Sequence, residues 1–314
     1  MSARHHHYLS QCYLKGFTKS GSKKSMLSVI DFKKKTQFET KPRNVGGIRD
    51  FNRINIDGID QNTVETSLSE FEGRVATAIK RVDETPIFNG TDKDHILNLI
   101  ALLSIRSPEM RENFRQFQVQ VLEMIMDLSL ETKERWESQM EKMKADGQKL
   151  EPSISYEEIK AFHDRKKYRI ELSTEHHLRM EMVGIDAILP CLYRRNWLLI
   201  QSTGESGFFI TSDHPVILTW NEPNKIPSIY RNSPGFGLKD TQVYFPLTKN
   251  IALLGEFDGR EGVINAKREV VALLNSKIIT FAYKQVYAPK IDFYFMGSGG
   301  ELLDGNRILR EINA

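Results

Sequence analysis

Two cysteines in 314 residues, Cys12 and Cys191, leave neither a disulfide framework nor a Cys-x-x-Cys metal knuckle. They lie far apart in segments of different character, and both are expected as small buried apolar residues. Long hydrophobic runs are missing too. The strongly apolar stretch Ile96 to Ile105 is half of the roughly 20 residues a membrane-spanning helix requires. The amino terminus carries no apolar signal-peptide core, so the expected compartment is the cytoplasm. The chain also lacks a Walker phosphate loop, a Gly-x-Gly-x-x-Gly turn, a His-Glu-x-x-His helix, a Gly-x-Ser-x-Gly elbow and a kinase signature. The common nucleotide-driven, zinc-protease and serine-hydrolase readings therefore lose their usual support.

Acidic residues are absent from the first 30 positions. Residues 1–60 carry 12 Lys+Arg against 5 Asp+Glu (+7), residues 61–189 carry 18 against 24 (−6), and residues 190–314 carry 14 against 12 (+2), which together give the net +3. A basic amino-terminal section can attract a polyanion such as nucleic acid, or it can dock on the acidic helices of its own chain.

What is present reads as one α+β domain over residues 1–314, with a basic αβ section at 1–60, a helical section at 61–190 and an antiparallel β section with a late helix at 191–314. Tyr8, Leu9, Cys12, Tyr13 and Phe17 recur at helical spacing, and Gly16 is placed as a stop. Met26 to Phe32 and Thr36 to Thr40 form a strand pair around the exposed turn Lys33–Lys35. After a loop from Asn44 to Asp60, Asn62 and Glu65 are spaced as a capping box.

The middle is helical by several signs. Val64, Leu68, Phe71, Val75, Ile79 and Val82 make one apolar stripe, and Thr91 with Asp94 opens a helix apolar on most of its circumference, hence interior. From Ser107-Pro108-Glu109 the register Phe114, Phe117, Val121, Met124, Leu128 continues through Trp136, Met140 and Met143, which predicts one long helix ending near Gly147. Ser155 and Glu158 open a further helical stretch, with interruptions, to Pro190. The two stretches are expected as a projecting antiparallel arm, with Trp136, Met140 and Met143 left for a second subunit.

Beyond Pro190, short apolar runs at Trp197–Gln201, Phe208–Ser212, Val216–Trp220, Thr241–Leu247 and Ile251–Gly255 predict an antiparallel meander. Val263 to Tyr287 returns to helical spacing, and Asp292 to Met296 reads as a last strand.

Two constellations carry chemistry. His5-His6-His7-Tyr8 sets adjacent imidazoles beside a tyrosine, groups that titrate near neutrality, ligate a metal or contact phosphate. Thr211-Ser212-Asp213-His214-Pro215 ends an apolar strand in a turn, where a strand can hold a catalytic group rigidly. Ordinary turn chemistry, with Asp213 bonding nearby amides, accounts for the same residues. An Asp/Glu-x-Lys nuclease reading meets Asp31-Phe32-Lys33 but no upstream acid, and Glu39-Thr40-Lys41 fits only loosely.

The segments HHYLSQCYLKGF, IALLSIRSP, FFITSDHPV, YFPLTKNIALL and LLNSKIITFAYKQVYA, in that order, resemble a bacterial family known only as a domain of unknown function. The resemblance spans nearly the whole chain. Where the family pattern has proline after His-His-Tyr-hydrophobic this chain has Ser10, which is expected to loosen that turn, and where it has Thr-Ser-Asp-Asn-Pro the asparagine is His214, which argues against an essential role for that imidazole. The matching positions are His6, His7, Arg106, Ser212, Asp213, Pro215 and Asn275, and the resemblance implies that polar residues from distant segments meet at one site, without implying an activity.

The leading expectation is a ribonuclease-like phosphodiesterase. In it His6 or His7 acts as base or acid, Arg106 stabilises phosphate charge, and Asp213 orients a histidine or holds a divalent metal. Tyr8, Ser212, His214 and Asn275 support the site, and Lys15, Arg43 and Arg49 supply the approach surface for RNA. The alternatives are a non-enzymatic partner-binding protein, such as a sensor or toxin-like component, and a small-molecule hydrolase or transferase. A catalyst requires the His, Arg and Asp groups to converge, whereas a binding protein leaves them occupied by structural bonds.

Overall fold

The computed structural model describes residues 4–148 and 155–311. The chain divides into two compact units, one formed by residues 1–108 with 174–314, the other by residues 109–173.

The first unit opens on strand β1 (His5–His7) and the short helix α1 (Gln11–Leu14). Ser10, the residue that departs from the family's proline, caps α1: its hydroxyl accepts from the Cys12 amide at 3.3 Å, so the turn is held rather than loosened. β2 (Leu27–Asp31) and β3 (Thr36–Thr40) form the expected hairpin, where Asp31 accepts from the Lys34 amide and Lys35 takes a positive φ of 54°. β4 (Gly47–Arg49) pairs antiparallel with β1.

Helix α2 (Thr63–Glu84) buries Val75, Ala78, Ile79 and Val82. Its expected Asn62–Glu65 capping box does not form, because Glu65 is taken by the Asn52 side chain and the Asn62 amide turns to Asp60. Helix α3 (Gly90–Ile105) is buried around its circumference, as its composition requires. Helix α2 packs on α1 and on α3, and Leu9, Tyr13, Leu14 and Phe17 join them to the central strands in one core.

The second unit begins within α4 (Pro108–Ser129) and continues with α5 (Lys133–Ala145) and α6 (Tyr156–Asp164). The single long helix expected from Pro108 to Ala145 is thus two helices. Thr132 ends the first register by capping α5, its hydroxyl accepting from the Arg135 amide, a bond a mid-helix threonine does not make. The Ser155–Glu158 capping box forms as expected. Trp136, Met140 and Met143 are half-buried.

The chain returns to the first unit through α7 (Thr174–Tyr193), which contains Pro190 rather than ending at it. Then follow β5 (Asn196–Gln201), β6 (Thr211–Ser212), β7 (Ile217–Trp220), α8 (Ser228–Arg231), β8 (Thr241–Pro246), β9 (Ile251–Glu256) and β10 (Gly262–Asn265). Last come α9 (Arg268–Phe281), β11 (Gln285–Ala288), β12 (Tyr294–Met296), β13 (Leu302–Asp304) and α10 (Ile308–Glu311). One sheet runs β10-β5-β9-β8-β7, antiparallel except that β10 joins β5 in parallel. A second runs β3-β2-β11-β6, so strands from the two ends of the chain share it.

The expected helical span Val263–Tyr287 therefore resolves into strand, helix and strand, and only its middle keeps helical spacing. The fold class is the expected α+β arrangement, with a mixed sheet where a pure meander was predicted.

Arg195 pins the ends of β8 and β9. It is 1% exposed, and its guanidinium donates to the carbonyls of Thr241 (2.6 Å), Gly255 (3.1 Å) and Phe236 (2.7 Å) and to the Thr241 hydroxyl (2.9 Å) while lying 4.4 Å over the Phe257 ring. Burial pushes its pKa down to about 10, still high enough to keep the charge at neutrality. Lysine has no planar fork to reach these acceptors, so Arg195→Lys is expected to lower unfolding free energy by about 2–4 kcal/mol in urea titrations.

Candidate functional site

Residues alternate faces along a strand, so β1 turns His6 inward while His5 and His7 share the other side. His6 is 1% exposed, and its Nδ1 accepts from the Asn52 amide at 2.9 Å. The same Nδ1 lies 3.9 Å from Glu65 on α2, and Glu65 lies 3.9 Å from the Arg106 guanidinium at the end of α3. Arg106 is buried and donates to the His7 carbonyl at 2.9 Å, and Asn52 donates through its side chain to Glu65. Two of the expected catalytic residues thus meet in one buried polar knot that ties β1 to α2 and α3.

Asn52 and Glu65 complete that knot, and the sequence reading did not single them out for it. Glu65 carried a local capping signal and Asn52 sat in a Gly/Asn-rich loop, so nothing local marked either. Farther along α2, burial raises the pKa of Glu72 against the opposing Ser10 hydroxyl, and burial pushes the Cys12 thiol up to about 11. Cys12 is buried as expected, whereas Cys191 is half-buried.

His7 is held by the Arg43 carbonyl at 3.3 Å and by Gln11 at 3.5 Å, and its ring meets that of His5 at 5.1 Å. Its pKa is lowered, first by burial and then by the neighbouring His5 charge. Tyr8 packs half-buried against Phe51. The basic residues expected as an approach surface are Lys15, half-buried, and Arg43 and Arg49, both exposed. Near them the basic charge turns on the section's own few acids: Arg4, Arg49 and Arg53 all reach Asp50, and Arg4 holds the Asp50 carboxyl down at about 2.

Asp213 is placed elsewhere, at the end of β6. Its two oxygens accept from the amides of Tyr283 and Gln285, each at 3.0 Å, while its own amide donates to the Gln285 carbonyl. Ser212 closes the turn locally, donating to the His214 carbonyl and accepting from the His214 amide. Asn275 of α9 accepts from the Ile210 amide and donates to the carbonyls of Phe208 and Tyr294. It does for Phe208–Ile210 what a neighbouring strand would do, which explains why the expected strand Phe208–Ser212 shortens to Thr211–Ser212. His214 lies against the Tyr283 ring at 4.7 Å, its Nδ1 is buried with no hydrogen-bond partner among the described residues, and burial pushes its pKa down to about 4.

A family model described as a protein of unknown function (DUF4238) matches residues 5–291. The chain belongs to the DUF4238 family. No curated protein and no solved structure matches it. The polar positions through which the sequence resembled a domain of unknown function are, in this DUF4238 chain, joints between elements: β1 to α3 at Arg106, β6 to β11 at Asp213, and α9 to the segment before β6 at Asn275.

The family carries no activity to this chain. The nuclease, RNA-binding and hydrolase reading is left without support: the family brings no activity, and among the described residues no group of three or more His, Cys, Asp and Glu side chains is placed to hold the divalent metal it allowed. Among the described residues no helix is long and apolar enough to cross a membrane.

The second unit holds a further cluster that the sequence did not announce. His163 is 2% exposed, with Nε2 2.5 Å from Asp127 on α4 and Nδ1 2.7 Å from the Tyr168 hydroxyl, and Lys166 reaches Asp127 at 3.1 Å. The His163 bond, then Lys166, holds the Asp127 carboxyl below its ordinary range. This cluster clamps the end of α6 to α4.

Asn275→Leu is expected to cost about 2–4 kcal/mol in urea unfolding, because three backbone groups lose their partner inside the core. His214 makes stability depend on acid. Its folded pKa lies below the unfolded value of 6.5, so the unfolded chain binds the extra proton and stability falls as pH drops from about 6.5 towards 4. Between pH 7.5 and 4.5 the wild type is expected to lose about 2–3 kcal/mol more than His214→Asn, measured by urea unfolding at each pH.

Proposed function

We propose that this chain is a cytoplasmic protein-binding component, of the sensor or toxin-component kind, and that its helical unit makes the contact. The observation that carries this reading is α4. It is 22 residues long and has no buried side chain, yet Phe117, Val121, Leu122, Met124, Ile125 and Leu128 are exposed along it. An amphipathic helix is stabilised chiefly by burying its apolar face, and a contiguous exposed apolar patch of this kind marks an interaction surface. The state of the polar residues supports the same reading: His6, Arg106, Asp213 and Asn275 all hold backbone groups or neighbouring side chains in place.

A photo-crosslinking residue at Met124, compared with one at the still more exposed Ile229 of α8, tests the reading in cells producing the full chain. Discrete protein adducts at position 124 and none at 229 are expected. Equal or absent labelling at the two positions overturns the assignment.

A further inference from the structure

We infer that the occupant of the α4 face is a second copy of this chain, its α4 lying antiparallel to the first. The inference rests on the protein-binding reading and names the partner.

The spacing of the exposed residues carries the argument. Phe117, Val121, Met124 and Leu128 follow one another at four, three and four residues, the a/d alternation that lets one helix pack on another of the same period along a narrow seam. Ile125 widens that seam on one side, and Phe114 continues it half-buried. The stripe is self-complementary when reversed. An axis midway between Leu122 and Glu123 sets Phe117 opposite Leu128 of the other copy and Val121 opposite its Met124, so each layer joins an a position to a d position. A surface that matches itself through a two-fold axis is what a closed homodimer requires.

Charge sets the direction. Glu123 and Asp127 lie in the last two turns of α4, whereas its first two turns carry Glu109 and Glu112 beside Arg111 and Arg115 and are neutral in sum. A parallel pair would bring the two acidic ends together and align the helix dipoles, whereas the reversed pair separates like ends. The area is also adequate. The five seam residues are Phe117, 65% exposed, Met124 63%, Leu128 55%, Ile125 49% and Val121 38%. At roughly 100 Å² for each such side chain the seam buries about 1,000 Å² over both copies, the lower bound of a specific interface. A reversible dimer with a dissociation constant on the order of tens of micromolar is expected from that area.

Sedimentation velocity of the full chain from 1 to 200 μM (roughly a decade either side of that constant) is the first test. The wild type is expected to shift from monomer to dimer, and Met124→Glu to weaken association at least about tenfold. Because position 124 is exposed, Met124→Glu should keep the wild-type urea midpoint, which separates lost association from lost folding. The second test is orientation, in a Cys191→Ser background. Chains carrying Phe117→Cys are mixed with chains carrying Leu128→Cys and mildly oxidised, and the mixed 117–128 disulfide is expected to dominate. Dominant 117–117 and 128–128 products would overturn the antiparallel arrangement. A wild type that stays monomeric to 200 μM would overturn the second copy as occupant. If such a monomer still gives adducts with other proteins at position 124, the protein-binding reading survives on its own.

Discussion

Asp213 holds the part of the fold on which both ends of the chain depend. A carboxylate that is 3% exposed would be costly without partners, and here each oxygen receives a backbone amide from the segment that starts β11. Those two bonds fix where β11 begins, and hence its register against β6 on one side and β2 on the other. Through β2 the amino-terminal hairpin becomes part of a sheet whose other strands lie more than 170 residues away. Tyr13 makes a second joint of the same kind. Its buried hydroxyl donates to the Pro246 carbonyl and meets the Thr211 hydroxyl at 2.7 Å, so helix α1 is tied to both sheets.

Polar side chains used as internal joints recur through the first unit. Arg195 gathers three carbonyls and a hydroxyl, Asn275 replaces a missing strand, and His6 with Asn52, Glu65 and Arg106 locks β1 onto α2 and α3. Irregular chain carries backbone groups that helices and sheets cannot satisfy, and a side chain of suitable length can satisfy them. The residues that looked most like chemistry in the sequence are mostly of this kind. A motif of His, Arg, Ser, Asp and Asn is what a catalytic site needs, and it is equally what such joints need.

The second unit is built on a different balance. Among the described residues its one deeply buried ionisable group is His163, clamped by Asp127 and Tyr168, while no side chain of the facing helix α4 is fully buried. Ion pairs such as Arg115–Glu112 and Arg135–Glu131 lie at the surface, where they contribute little to stability. A unit held in this way leaves the apolar stripe of α4 exposed.

The sequence by itself determined the features that depend on neighbours a few residues apart. The β2–β3 hairpin with its lysine turn, the stripe of α2, the all-round burial of α3 and the Ser155–Glu158 capping box were legible because spacing and local hydrogen bonding decide them. The tertiary structure decided what depended on distant partners. Glu65 left its local cap for Asn52, Gln285–Ala288 became a strand because β2 and β6 flank it, and β10 joined β5 in parallel although a local meander would run antiparallel. The division of α4 from α5 lay between these cases. The apolar register passes from Leu128 to Trp136 over the polar Glu131 and Thr132, and the Thr132 hydroxyl turning to the Arg135 amide ends the first helix there, a choice between two local bonds that periodicity does not register.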